Sequence, residues 1–179
     1  MDTLRITRDD IDAEGVYTKA ESIDYAGHVE ISADLGTVRV RGGVRATGRI
    51  RCLSGSGIKA GWSVVAGGSV EAGWSVVAGW SVVAGESVEA GWSVVAGGSV
   101  EAGESVEAGG SVEAGWSVEA GGSVVAGGSI VARFLSVRLR IFAGLVAWRL
   151  PEASECEVRA EIRSGTLAHG THVAPTVKS

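Results

Sequence analysis

Residues 62–79 read WSVVAGGSVEAGWSVVAG, three consecutive hexads of the form x-Ser-Val-x-Ala-Gly. Working outward, the same unit repeats without a break for thirteen hexads, from Ser56 to Arg133. The first (Ser56-Gly57-Ile58-Lys59-Ala60-Gly61) and the last (Gly128-Ser129-Ile130-Val131-Ala132-Arg133) vary the same theme. Six is not a helical period, and a glycine at every sixth position costs a helix about 1 kcal/mol each time. Within each hexad the third and fifth residues are apolar and the fourth is mostly Val or Glu. That is a period of two over a short strand, with Val and Ala turned inward and Ser and Val/Glu turned outward. The Gly and the variable residue after it make the corner. Short strand, corner, short strand predicts a parallel β-solenoid.

The pattern runs past the regular block. Upstream, Val38-Arg39-Val40, Val44-Arg45-Ala46 and Ile50-Arg51-Cys52 follow at six-residue steps, and an eight-residue step to Ile58 implies a two-residue bulge near Leu53-Ser54. Downstream, Leu135-Ser136-Val137 and Ile141-Phe142-Ala143 continue it. The expected fold is all-β: a triangular parallel β-solenoid (β-helix) of hexapeptide repeats, about 6–7 coils, with terminal caps. A flat coil of two hexads is the rival. The solenoid is placed at residues 29–150, an N-terminal cap at 1–28, and a C-terminal β-strand tail, capping or oligomerising, at 151–179. The larger residues Leu135, Phe142, Leu145, Trp148 and Leu150 are expected to plug the last coil, as terminal repeats must.

Composition agrees. Of 179 residues 28 are Gly and only 2 are Pro, which excludes a helical bundle, and abundant Val with a net charge of −5 excludes a disordered chain. Cys52 and Cys156 are too few for a disulfide framework and lack zinc spacing. The opening MDTLRITRDD is polar and does not read as a signal peptide, so a cytoplasmic protein without a membrane span is expected.

Hexads on a triangular solenoid resemble two families in architecture: the left-handed hexapeptide acyltransferases and the polymer-forming bactofilins. The acyltransferase motif wants a small residue two before the aliphatic one, where this chain carries Trp or Glu in seven of twelve hexads between Trp62 and Gly128. That family also resembles itself in a catalytic His on a loop beside the coils, whereas His28, His169 and His172 all lie outside the repeat. Bactofilins look similar in size and in the polar tails that flank a Gly- and Val-rich solenoid, and that resemblance implies a protein that polymerises.

Two positions of the hexad carry the variety. With three hexads per turn, residues 18 apart stack: Trp62 under Trp80 with Trp116 two coils on, and Trp74 under Trp92 on a second edge. The third side then collects Glu71, Glu86, Glu89, Glu104 and Glu107. Between Ala60 and Ala132 there are eight Glu and no Lys, Arg or Asp. Basic residues gather at either side of this stretch, among them Arg51, Lys59 and Arg133. A Val and Ala core cannot hold an indole where the next coil has Gly, so the Trp rings are expected to be at least partly exposed. These five Trp and five Glu are the candidate partner-binding residues.

No nucleophile–base pair, phosphate-cradling loop or unique carboxylate pair is evident, so no catalytic residue, cofactor or metal is expected. His169 and His172, three apart in a tail, are a poor metal site. The expected function is a non-catalytic scaffold that self-associates as a homo-oligomer or filament. The alternative is a binding inhibitor whose acidic ladder occupies a basic, nucleic-acid-handling site on another protein. Neither reading involves direct nucleic-acid binding.

Overall fold

The computed structural model describes residues 1–146 and 149–175. Its strands form one continuous parallel sheet wound into a triangular solenoid of about eight turns. Through the regular hexads each residue pairs with the one 18 positions on: Val64 with Val82, Val82 with Val100, Val100 with Val118. Three hexads therefore make one coil, and the two-hexad alternative is excluded. Three faces result. They are named here for an outward residue at the middle of each: the Glu71 face, the Val83 face and the Val77 face.

The core is built as the period-two pattern requires. Third-position residues such as Val64, Val82 and Val100 are fully buried, and the fifth-position alanines nearly so. Each buried valine contributes about 1.5–3 kcal/mol. Backbone bonds run from coil to coil, for example Val64 N–H to the Ser81 carbonyl at 2.9 Å and Gly79 N–H to the Ala60 carbonyl at 3.0 Å.

The glycines that close the hexads are needed for space. None of them has positive φ; among the described residues that conformation falls on Asp34 and on glycines outside the regular block, such as Gly55 and Gly144. A Cβ on Gly97, however, would lie 2.2 Å from the Gly79 carbonyl oxygen one coil below. Most of the repeat serines are half-buried rather than fully outward, and Ser56 and Ser117 are buried; several hydroxyls face the backbone of the next coil, as in Ser81 N–H to Ser63 Oγ at 3.4 Å.

The register changes where the eight-residue step falls. Ser54 and Gly55 form a turn, and pairing across it is 20 residues apart, Arg51 with Glu71 and Val44 with Val64. The rod is longer than the 6–7 coils expected, because both ends add strands. Thr3–Ile6 pairs with His28–Ile31 and Ile23–Tyr25 with Val44–Ala46, so the N-terminal segment closes the rod by continuing its ladders. The intervening segment turns across that end and buries Ile11 and Tyr17.

At the other end the strand Ile130–Phe142 wraps all three faces, and Glu157–His169 wraps them again one level on. The expected plug is therefore corrected. Leu135 is buried, but beneath a further coil; Leu145 and Leu150 sit in the excursion between the two strands, with Leu150 92 % exposed. Trp148 lies outside the described residues. Arg149 spans both oxygens of Glu155 within this excursion, at 2.7 and 2.5 Å, and that pairing holds the Glu155 carboxyl down at about 2. The tail strand stacks on its own rod: Val158 and Ala160 are buried, and Ile162 and Leu167 are half-covered at the final coil. Cys52 is buried in the core while Cys156 is half-buried. Among the described residues no helix is long and apolar enough to cross a membrane.

Candidate binding faces

Each coil delivers one outward side chain to each face and one residue to each edge, so the ladder register alone dictates what lies beside what. On the Glu71 face the outward column reads Arg5, Glu30, Arg51, Glu71, Glu89, Glu107. Its lower half alternates in sign and is paired, Arg5 to Glu30 at 2.9 Å and Arg51 to Glu71 at 3.3 Å. From Glu71 upward three carboxylates follow in sequence, and Val125 and Phe142 continue the column above them. Partial burial and the neighbouring charges of Glu107 and Glu71 push Glu89 above the ordinary Glu range.

Glu86 and Glu104 stand on the edge that leads into this face, and the Glu104 N–H donates to the Glu86 carbonyl at 3.0 Å. Each carboxylate accepts a hydroxyl from the coil below: Ser69 Oγ to Glu86 at 2.9 Å, and Ser87 Oγ to Glu104 at 3.4 Å. All five expected Glu are thus brought to one side of the rod. The remaining acids go elsewhere: Glu101 and Glu119 stack on the Val83 face, and Glu113 stands on the Val77 face between Val95 and Val131. A shallow trough along the Glu71 face is lined by Arg51, Glu71, Glu89 and Glu107 over the alanines and glycines of their coils.

The Trp residues occupy the two other edges. Trp80 N–H donates to the Trp62 carbonyl at 3.1 Å, and Trp116 N–H to the Gly98 carbonyl at 3.0 Å, which fixes Trp62, Trp80, Gly98 and Trp116 as one column. Trp62 and Trp80 are 66 % and 71 % exposed. Trp116 is held at its upper end by an edge-on contact to Phe134, centroids 5.5 Å apart, with the Arg133 guanidinium 4.8 Å from its ring. On the second edge Trp74 and Trp92 stack, centroids 5.6 Å apart and planes 15° from parallel.

Both Trp edges border the Val77 face, a relationship that reading single columns missed. Its outward column is Arg39, Lys59, Val77, Val95, Glu113, Val131, Arg159. Two exposed indole columns therefore flank a central valine pair on one sheet face. The signal was present in the order of residues 74–80, where Trp74 and Trp80 bracket Val77 within one hexad step.

The histidines are engaged locally. His169 Nδ1–H donates to the Ala143 carbonyl at 2.6 Å and His172 Nε2–H to the Ala160 carbonyl at 2.8 Å. Among the described residues no three His, Cys, Asp or Glu side chains converge as a metal site. Compared with protein-family models, curated proteins and solved structures, the chain matches none of them.

Proposed function

We propose that this chain is a non-catalytic scaffold, a stiff β-solenoid rod that self-associates and presents repetitive Trp and Glu faces. One observation carries the reading. The chemically distinctive side chains recur at spacings of one or two coils on outward positions of the ladder, and the large apolar ones among them, Trp62, Trp80 and Trp92, are more than half exposed. Contiguous exposed aromatics on a rod favour association. Catalysis instead needs unlike groups converging in a unique, partly dry pocket. The relevant experiment is solution mass by light scattering across a concentration series. A discrete oligomer or a growing series of masses supports the scaffold; a monomer at every concentration removes it.

A second reading draws on Glu71, Glu89 and Glu107 in direct register with Glu86 and Glu104 alongside. Where a coil carries two Glu on this side, as at 104 and 107, the charge density is about one per 2.4 Å of rod at a coil spacing of about 4.8 Å. Duplex DNA carries about one per 1.7 Å. In this reading the acidic side occupies a basic, nucleic-acid-handling site on another protein. Changing Glu71, Glu89 and Glu107 together to Gln abolishes such binding and leaves self-association intact. Changing Trp62, Trp80 and Trp116 to Ser does the reverse where aromatic edges drive assembly.

A further inference from the structure

We infer that the Val77 face is the docking surface for a second copy of this chain, packed face to face with the two rods antiparallel. The inference rests on the scaffold reading and goes further by naming the surface, the partner and the register. From Lys59 to Val131 the face is one parallel ladder of unbroken 18-residue register. Its centre is apolar, Val77 and Val95 in adjacent coils, and indoles stand on both its edges.

What selects the partner is the order of charges along the column. Lys59 lies one coil below Val77 and Glu113 one coil above Val95. A twofold axis across the rods, between the Val77 and Val95 coils, sets Val77 against Val95 of the second copy and Lys59 against its Glu113. Lys59 and Glu113 recur with opposite sign at equal distances from that axis, so the four central coils are complementary to themselves; at the two ends of the footprint Arg39, whose guanidinium donates to the Glu14 carbonyl at 2.9 Å, stands opposite Val131. Lys59 and Glu113 are both exposed, and among the described residues neither forms an ion pair within the chain. By contrast, Arg159 further up the same column is already paired with Glu157.

The edges follow the same symmetry. This axis leaves each edge facing its own counterpart with the coils reversed. Trp74 then meets the partner's Trp92 position, and Trp80 meets the partner copy's Gly98, a large ring over a bare corner. The other arrangements fail. Parallel rods set Lys59 against Lys59 and Glu113 against Glu113. Sliding the antiparallel pair by one coil one way exchanges the Lys59–Glu113 pair for Arg39–Glu113 and sets Lys59 against Val95; sliding it the other way sets Glu113 against Val77 and Arg39 against Arg159. Either slide desolvates an unpaired charge one coil from the axis, at the centre of the face. Six coils at about 4.8 Å by one strand segment and its corners, about 18 Å, give about 500 Å² per copy and about 1,000 Å² in total, at the threshold for a specific interface.

The test is a charge-reversal cycle read by sedimentation equilibrium of the full chain. Wild type is expected to be a dimer. K59E and E113K each place like charges at both symmetric pairs and should weaken it at least tenfold in Kd. The double variant K59E/E113K restores opposite pairing and should recover most of the loss. Circular dichroism confirms folding of each; both positions are outward-facing and three coils apart, so each variant should fold. A wild-type dimer that ignores both single reversals, or single losses that add up in the double variant, overturns the Val77 face while leaving the scaffold reading in place. A wild-type monomer overturns both.

Discussion

Glu89 lies directly over Glu71 in parallel register, so two carboxylates share adjacent positions on the ladder, and Glu107 continues the column on the other side. Glu89 is the middle member, and its carboxyl is raised by partial burial first and by both neighbours second. An acid whose folded pKa lies above its unfolded one makes the folded state less stable when ionised. That penalty is fully present above the folded pKa and is lost as pH falls through it toward the unfolded value.

Glu89→Gln should therefore raise stability at neutral pH. The group is largely exposed and water screens it, so the gain is about 0.2–1 kcal/mol. Denaturant melts at pH 7 and below the ordinary Glu pKa of 4.5 check it. The gain should vanish at the lower pH and shrink at high salt. Glu71→Gln should give no comparable gain, because Arg51 already pairs with Glu71. Equal gains at both sites would mean that the Arg51 pairing does not set Glu71 apart from Glu89.

Gly97 and Gly98 adjoin at one corner and should respond oppositely to alanine. A Cβ on Gly97 meets the Gly79 carbonyl oxygen at 2.2 Å, backbone that cannot yield without opening the coil spacing. Gly97→Ala should cost about 1–3 kcal/mol, as overpacking does. A Cβ on Gly98 is 3.1 Å from the Ser81 hydroxyl, and Trp80 and Trp116 occupy the equivalent place in other coils. Gly98→Ala should stay within about 0.5 kcal/mol. Thermal melts of the two variants decide whether the repeat's sixth position is set by stacking distance.

That contrast also explains what could be read in the sequence. Val64, Glu71 and Trp74 could be assigned to core, face and edge because a strict period of six and a coil of 18 leave no freedom. Once the bulge at Ser54 and Gly55 shifts pairing to 20, the acidic column's continuation into Arg51, Glu30 and Arg5 is hidden, since no constant spacing links them. The final coil was hidden for a related reason. Fourteen residues separate Phe142 from Glu157, and only the alternation of Val158, Ala160 and Ile162 signals that the ladder resumes. The Val77 face escaped because it combines three columns, whereas periodicity is read one column at a time.

The two thiols should separate cleanly. Burial pushes Cys52 up to about 12, so it carries almost no thiolate in the folded protein, whereas Cys156 is half-buried in the last excursion. A thiol reagent should modify Cys156 in the native protein and Cys52 only at the rate of global unfolding. Rapid modification of Cys52 would mean that the coil at Ile50–Cys52 opens locally.

Deletions test the coil itself. Removing residues 98–115 takes out 18 residues, one whole turn, and rejoins Gly97 to Trp116 in the same hexad phase. The shortened rod should fold cooperatively and keep the Trp74–Trp92 stack, since both residues precede the cut. Removing only residues 80–85 also preserves the hexad phase, so the core should still form. It leaves Trp74 and Trp92 twelve residues apart, on different edges of a three-hexad coil. Trp92 then stands over Gly68, and Trp74 lies beneath Gly98. Indoles 5.6 Å apart and nearly parallel couple their transitions, and circular dichroism detects the coupling. The signal should survive the 18-residue deletion and disappear in the six-residue one. A signal absent from the intact chain and present only when the two rings are twelve residues apart would require two hexads per turn and would overturn the triangular coil.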